Sequence, residues 1–570
     1  MIGRLLKTLP VLTLVFALAC GAAATATPSP TNAPQSTAIQ PGIATATPAP
    51  AVKPAAVVNP GKLTVMVGSL GNERFDFAFT VDSTKGNIYG RTVHGFLISD
   101  NETREMVPGI ASQWGLSADG LTWTFTIRKG VKFHDGTELT TEDALWSLQH
   151  SWGPQAVEYA IDSTALVASR RMNRIEMSGS DKVSMVTKAP VTEIAYVLSE
   201  AGIFSHGIMP KRAKLHDTAE EEAYDKKPIG AGPMRLVKHV PNYSMTFERF
   251  DDFYYQPKNG FPEDKRMKFQ LLDVFLAPEE ATRVAAVRAG EADIVPVSLA
   301  TKNQIETAGR RLVFGQEGIS VYIKLVGCWE PQHPCHDKRV RQALDYAINK
   351  DLIRDRLYGG SEVFQVKGWT AVTPSTIGYT RELDPLPFDP NKARQLLADA
   401  GYPGGQGFGK LIVNTHPSIS IPFMVEGAQL GAEFWRRELG LDTEVRVGDG
   451  VGIRKRQQAG ELNGQLWWYD VTGRKDATST MAVNYGDLES PNRAHGDPEL
   501  VRLVRETFGI LNVDEQAEAS KKLYLRLRDE SYNLGIGYVN IPWGVGPRVL
   551  TWSPYSLSNH PSALHTITLK

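Results

Sequence analysis

Apolar and polar positions alternate along the chain with two different periods. Leu121, Trp123, Phe125 and Ile127 are separated by Thr residues, the period-two pattern of a half-buried strand. Asp119-Gly120 turns the chain before that strand, Gly130 interrupts the alternation, and Val131 and Phe133 resume it. His134-Asp135-Gly136-Thr137 then predicts a second turn. Thr140 with Asp143 three residues on reads as a capping box, because hydroxyl and carboxylate satisfy free N–H groups at a helix start. Ala144, Leu145 and Leu148 give that helix its apolar face.

The same reading predicts a strand over Lys62–Val67, after which come Phe75–Phe79 and a helical stretch over Tyr89–Phe96. Arg235-Leu236-Val237 and Tyr243–Arg249 predict two strands around a Pro-Asn turn. A helix carried by Ala281, Val284, Ala285 and Arg288 stops at Gly290, and Ala292–Val297 follows as a buried strand. Asp337 caps a helix with the core face Val340, Ala343, Leu344 and Ala347, and a second helix covers Lys350–Leu357. Asp389 at N-cap, Pro390 at N1 and Gly401 at C′ delimit another. Across 410–470 strands alternate with helices: Lys410–Asn414, a helix ending near Leu439, Thr443–Val447, a helix to about Ala459, and Gln465–Tyr469. That alternation implies crossover units and a mostly parallel sheet.

At 570 residues the chain can bury a large core and hold more than one lobe. A formal net charge of −1, with no sustained Lys/Arg run, points away from a nucleic-acid partner. Residues 1–20 read as a secretory signal, with Arg4 and Lys7 before an apolar run that ends at Cys20. Ala17-Leu18-Ala19 before that cysteine resembles a bacterial lipobox, which would make Cys20 the lipidated first residue of a membrane-anchored lipoprotein. A plain signal peptide or a lone membrane anchor is the alternative, although the run is short for a span. Residues 21–60 are Ala, Thr and Pro with almost no charge, the composition of an extended tether. The expected body is therefore extracytoplasmic and held near the outer face of a membrane. Cys328 and Cys335 are close enough to predict a local disulfide there. His333 and His336 alongside make a metal site the rival reading, though the spacing is that of no known zinc module.

The order of residues from Val107 to His150 says more than its elements do. Pro-Gly-Ile-Ala, Ser-Ala-Asp-Gly-Leu-Thr-Trp-Thr-Phe, Lys-Gly-Val-Lys-Phe-His-Asp-Gly-Thr and Thr-x-Glu-Asp follow one another in register. This run closely resembles the signature of family 5 extracytoplasmic solute-binding proteins, the oligopeptide, dipeptide and nickel receptors of ABC importers. Arg288-Ala-Gly-Glu-Ala-Asp-Ile294, Arg339-Val-Arg-Gln-Ala-Leu-Asp-Tyr-Ala-Ile-Asn-Lys-Asp351 and Phe388–Pro403 resemble it too. The resemblance implies an α/β periplasmic-binding-protein-like type II fold, two lobes joined by a hinge, with an extra inserted domain. It implies domain I in three pieces (61–98, 229–315 and 536–570), domain II inserted at 99–228 and domain III at 316–535. It also implies a monomer that binds a peptide or other small solute, needs no cofactor, and passes its ligand to ABC permease subunits.

Ligands in open α/β sheets sit outside the carboxyl ends of the strands, and the last strand of the 410–470 series is read as ending at Asp470. Trp467, Trp468, Tyr469 and Asp470 are thus the main candidate site: a carboxylate for an ammonium group and aromatic faces for apolar parts of a ligand. In peptide-binding relatives an Asp after a Trp-containing strand meets the ligand's amino terminus, and Asp470 matches that position. The alternative is that Asp470 caps the next turn while the aromatics enter the core. The chain continues Val471-Thr472-Gly473-Arg474-Lys475 where many peptide receptors carry a Tyr-Pro-Asp-Pro-like run, so an acidic ligand is open as well. Trp369, Tyr89 and His94 are secondary candidates. The Gly-x-Ser-x-Gly, His-Glu-x-x-His, phosphate-loop and Cys-x-x-Cys patterns are missing, so no enzyme is expected. A non-peptide solute (nickel chelate, opine or oligosaccharide), a secreted hydrolase and a signalling receptor remain the alternatives.

Overall fold

The computed structural model describes residues 61–570 apart from 72, 77–87, 103–104, 159–170, 193, 201–206, 214–217, 419–420, 487, 489–492, 511 and 559. The signal segment, Cys20 and the tether lie outside the described residues, as do positions 77–79 of the 75–79 segment.

An eleven-stranded mixed sheet is the frame. In chain order its strands are β1 Lys62–Val67, β2 Met234–Val240, β3 Ser244–Arg249, β4 Leu271–Leu276, β5 Ile294–Pro296, β6 Arg311–Val326, β7 Phe364–Gln365, β8 Lys410–Thr415, β9 Asp442–Val447, β10 Gln465–Thr472 and β11 Asn533–Val545. Their order across the sheet is β9-β8-β10-β6-β11-β5-β1-β4-β3-β2, with β7 on β11. The expected crossover units are present, since β8 runs parallel to both β9 and β10. The sheet as a whole is not mostly parallel, because β6 and β11 run antiparallel to each other and to their neighbours. The long strands β6 and β11 each belong to both halves of the sheet. The upper part of β6 pairs with β10, while its first residues pair only with β11. Their register breaks between Gly315 and Ile319, where Glu317 takes a φ of 53°, and again between Val321 and Tyr322. The expected domain limits at 315/316 and 535/536 both fall within these two strands.

A separate four-stranded antiparallel sheet, Ala111–Leu116, Thr122–Ile127, Lys182–Thr187 and Met172–Met177, packs with helix α1 (Thr141–Trp152) around its own core. The capping box of α1 is made: Thr140 accepts from the N–H of Asp143, and Asp143 Oδ2 accepts from the N–H of Thr140 at 2.8 Å. His134 does more than sit in a turn. Its Nε2 lies 3.1 Å from the carbonyl of Gly232 and its Nδ1 accepts from the N–H of Gly230, joining the hairpin to the Gly-Pro loop. Burial holds its pKa down to about 4, so it serves as a neutral linker.

Local signals elsewhere act as read, with some lengths corrected. Asp389 caps the helix Pro390–Asp399 and Gly401 follows it with φ 97°. The stretch expected as helix over Tyr89–Phe96 is only Gly90–Val93, because His94 is extended and Gly95 bridges to Ile208. The strand expected over Ala292–Val297 is Ile294–Pro296. Cys328 and Cys335 are joined in a disulfide, while His333 faces Glu330 and His336 the carbonyl of Trp329. Among the described residues no helix is long and apolar enough to cross a membrane.

Candidate ligand-binding site

Parallel β8, β9 and β10 end together, and the loops that follow them enclose a pocket of about 330 Å³. β8 delivers His416. The turn after β9 delivers Asp449, Gly450 and Val451 at the start of helix α2 (Gly450–Gln458), with Arg454 one turn further on. β10 delivers Trp467, Tyr469 and Asp470. Asp449 Oδ1 caps α2 by accepting from Gly452 N at 2.7 Å. Gly450 packs closely on His416: a Cβ there would lie 3.0 Å from the His416 ring.

Asp470 does not end its strand, because β10 runs on to Thr472 and pairs Asp470 with Val321 of β6. On its other side β10 is joined to β8 only at Leu466 and Trp467. From Trp468 onward that edge has no strand partner among the described residues. The open edge therefore faces the pocket at the residues that line it.

The polar groups form a chain. Trp467 Nε1 donates to His416 Nδ1 at 3.4 Å, which leaves the hydrogen of a neutral His416 on Nε2, 3.3 Å from Asp470 Oδ1. The Asp470 side chain keeps 21% of its surface exposed, and His416 is the one basic side chain within ion-pair distance of it among the described residues. Arg454 Nη2 donates to the Tyr469 hydroxyl at 2.6 Å. Tyr322 meets the Tyr469 ring edge-on at 5.6 Å, and its own hydroxyl is pushed well up by burial. Lys324, the cross-strand partner of Trp467, places Nζ 4.0 Å from the Tyr469 ring centroid. Burial lowers Lys324 from 10.5 to about 7, Arg454 adds to the lowering, and Asp470 opposes it.

A second cavity of about 270 Å³ lies where β1 and β5 end, lined by Val67–Ser69, Pro296–Leu299, Tyr358, Phe423 and residues of β11. Tyr358 donates to the carbonyl of Pro422 at 3.1 Å, and after burial Asp470 is the main cause of its raised pKa. Ser418, two residues past His416, lines this cavity too.

The candidate residues do not all gather here. Trp467, Tyr469 and Asp470 line the first pocket, but Trp468 turns to the opposite face and is 1% exposed, against helix α3 (Met424–Leu439). Its ring lies where Gly427 and Gly431 leave room. Trp369 is buried in another core, donating to the carbonyl of Asn533 and stacking on Tyr485. Tyr89 donates to the carbonyl of Leu70, and His94 meets the carbonyl of Phe75. These three line neither cavity. His416, Arg454, Lys324 and Tyr358 were not singled out by sequence. Lys324 alone had a visible signal, a cation inside the apolar run Val321-Tyr322-Ile323-Lys324-Leu325-Val326.

The family model described as bacterial extracellular solute-binding proteins, family 5 Middle, matches residues 105–487. The chain belongs to this family. It is an extracellular solute-binding protein, with the α/β, two-lobed fold of that class. Heme-binding protein A of Haemophilus influenzae is 25% identical over 504 residues, 82% of this chain and 88% of that one. A dipeptide-binding protein of Pseudomonas aeruginosa is 26% identical over 476 residues, 79% and 83% of the two chains. Among solved structures, the periplasmic binding protein DppA of Helicobacter pylori in complex with a peptide aligns with TM-score 0.71 at 19% identity, covering 89% of this chain and 98% of that one.

Proposed function

We propose that this family 5 protein is the receptor of an ABC importer and closes on a peptide or peptide-like solute. One observation carries the reading: the open edge of β10 leads to the part-exposed Asp470 carboxylate inside a walled pocket. An extended peptide can add its backbone to such an edge, while its terminal ammonium meets Asp470. Trp467 and Tyr469 supply the walls, and the apolar second cavity takes a side chain. β6 and β11 are the hinge, the bulge between Gly315 and Ile319 absorbing the change in angle as ligand shifts the open–closed population. The name of the Haemophilus influenzae relative makes a heme ligand the second reading, and the apolar lining of the second cavity is the feature that favours it.

Asp470→Asn tests the anchor. Binding of trialanine, followed by isothermal titration, should weaken by about 10–100-fold, the range of a lost charge-assisted hydrogen bond. N-acetyl-trialanine should bind weakly to both proteins. Equal losses for the two probes would remove Asp470 from ammonium recognition.

A further inference from the structure

Lys324 is a buried lysine with no carboxylate in ion-pair contact among the described residues. It is 8% exposed, and among the described residues it makes no hydrogen bond and no ion pair. The other buried lysines differ: Lys265 stands 3.6 Å from Glu200 and Lys350 2.6 Å from Asp345. Its ammonium lies over Tyr469 at 4.0 Å and Trp467 at 5.3 Å, two rings that also line the Asp470 pocket. A cation–π contact offsets part of the cost of burying an ammonium group, and an anion would offset the rest.

The charged and titratable groups near it come from three elements and the β8 loop, and on its other side Lys324 is paired with the uncharged Asn533 of β11. β6 contributes Tyr322 and β10 contributes Tyr469 and Asp470. Helix α2 contributes Arg454, and the β8 loop contributes His416 on the far side of Trp467. Arg454 hydrogen-bonds Tyr469 and has no carboxylate within ion-pair distance among the described residues. Of the pocket's carboxylates, Asp449 is engaged as a helix cap and Asp470 by His416. Neither Lys324 nor Arg454 thus has a carboxylate within ion-pair distance among the described residues, and a ligand can bring one.

We propose that Lys324 is a specificity-determining residue of this pocket: from behind its aromatic wall it favours solutes that carry a carboxylate over otherwise identical solutes that carry positive charge alone. The proposal rests on the reading of the Asp470 pocket as the solute site. Lys324 acts through space and touches no ligand. Because its pKa is lowered to about 7, it is more fully charged as pH falls, and the discrimination grows in the same direction.

Two measurements test it. Alanyl-alanine and alanyl-alaninamide differ by one negative charge. At pH 5.5 the wild-type protein should prefer the carboxylate by about tenfold, the size of a Coulomb interaction across several ångströms of partly buried medium. At pH 7.5 the preference should fall, and in Lys324→Met it should be small and independent of pH. An unchanged preference in Lys324→Met overturns the proposal.

The second measurement needs no ligand. In protein labelled with ¹³Cε-lysine, the Lys324 signal is the one lost in Lys324→Arg, and Asp470→Asn should lower its titration midpoint by about half a unit to one unit. No movement means that Lys324 does not sense the pocket and overturns the proposal. If the midpoint moves but neither dipeptide binds, the peptide reading is what fails, and the coupling of Lys324 to Asp470 is upheld.

Discussion

Replacing Lys324 by methionine should make the protein more stable at neutral pH, which is the reverse of what most core substitutions do. Lys324 is 8% exposed, and its pKa falls from 10.5 to about 7, chiefly through desolvation. A shift of about 3.5 units corresponds to about 5 kcal/mol of cost to the folded state where the amine is charged in both states, below about pH 7. The sign follows from proton counting. Between pH 7 and 10.5 the unfolded chain binds a proton that the folded protein has released, so stability rises with pH across that window. Below pH 7 both states are protonated and the full cost is present. Methionine can lie over Trp467 and Tyr469 without a charge, but it gives up the cation–π contact, worth about 1–2 kcal/mol. The expected net gain is about 3 kcal/mol at pH 7. Urea unfolding of both proteins at pH 7, 8, 9 and 10 measures it, and taking the difference removes titrations the two share. The advantage of the variant should shrink by about 1.4 kcal/mol per pH unit above 7. A constant difference, or a variant less stable at pH 7, would refute the claim that Lys324 is held as a costly buried amine.

Two other predictions concern the frame of the site. Gly431→Ala would set a Cβ 2.7 Å from the Trp468 ring, so overpacking of about 1–3 kcal/mol should outweigh the helix-propensity gain of about 1 kcal/mol. Gly427→Ala, at 3.1 Å, should be close to neutral, and equal effects in urea unfolding would contradict the packing of Trp468 on α3. Asp293 accepts from the N–H of Thr64 at 2.8 Å and from Arg548 Nε at 3.0 Å, linking β1 to the C-terminal segment. Asp293→Ala should lower stability by about 3–5 kcal/mol, while a loss under 1 kcal/mol would mean that the pair contributes little.

What the sequence reveals here divides along distance. The capping box at Thr140, the Asp389-Pro390 helix start and the hairpin from Met234 to Arg249 are local, and the residues that cause them are within a few positions of one another. The three parallel strands of 410–472 are equally legible, because each is separated from the next by its own helix. The direction of β6 and β11 is not, since both are joined to the sheet by partners far away in the chain. That is why Asp470 reads as a strand end: Val471-Thr472-Gly473 resembles a turn, and its pairing with Ile319 and Ser320 comes from about 150 residues upstream. Alternation assigns Trp467 and Tyr469 to one face and Trp468 to the other, but it does not say which face a helix covers. The small residues Gly427 and Gly431, one turn apart on α3, carried that answer. His134 shows the same limit from the other side: its turn was plain, and its bonds to Gly230 and Gly232, 96 and 98 residues on, were not.

The bulge proposed as the hinge and the pocket proposed as the solute site share a strand, and on that reading this limits how ligand can be sensed. β6 carries the bulge between Gly315 and Ile319 near its middle and Lys324 one short stretch later. Glu317, in the bulge, accepts from the N–H and hydroxyl of Ser375 at 2.8 Å each, and its own N–H donates to Asn540 Oδ1 on β11. The bulge is thus fastened to β11 and to the 375 loop, while the strand beyond it is fastened to β10, whose side chains form the pocket wall. A ligand charge that draws on Tyr469 or Lys324 acts on the same β6–β10 ladder that ends at the bulge. Closure on a solute can therefore depend on its charge without any contact between solute and hinge, as long as the ladder moves as one piece. The continuous register from Ile319 to Val326 against β10 supplies that condition.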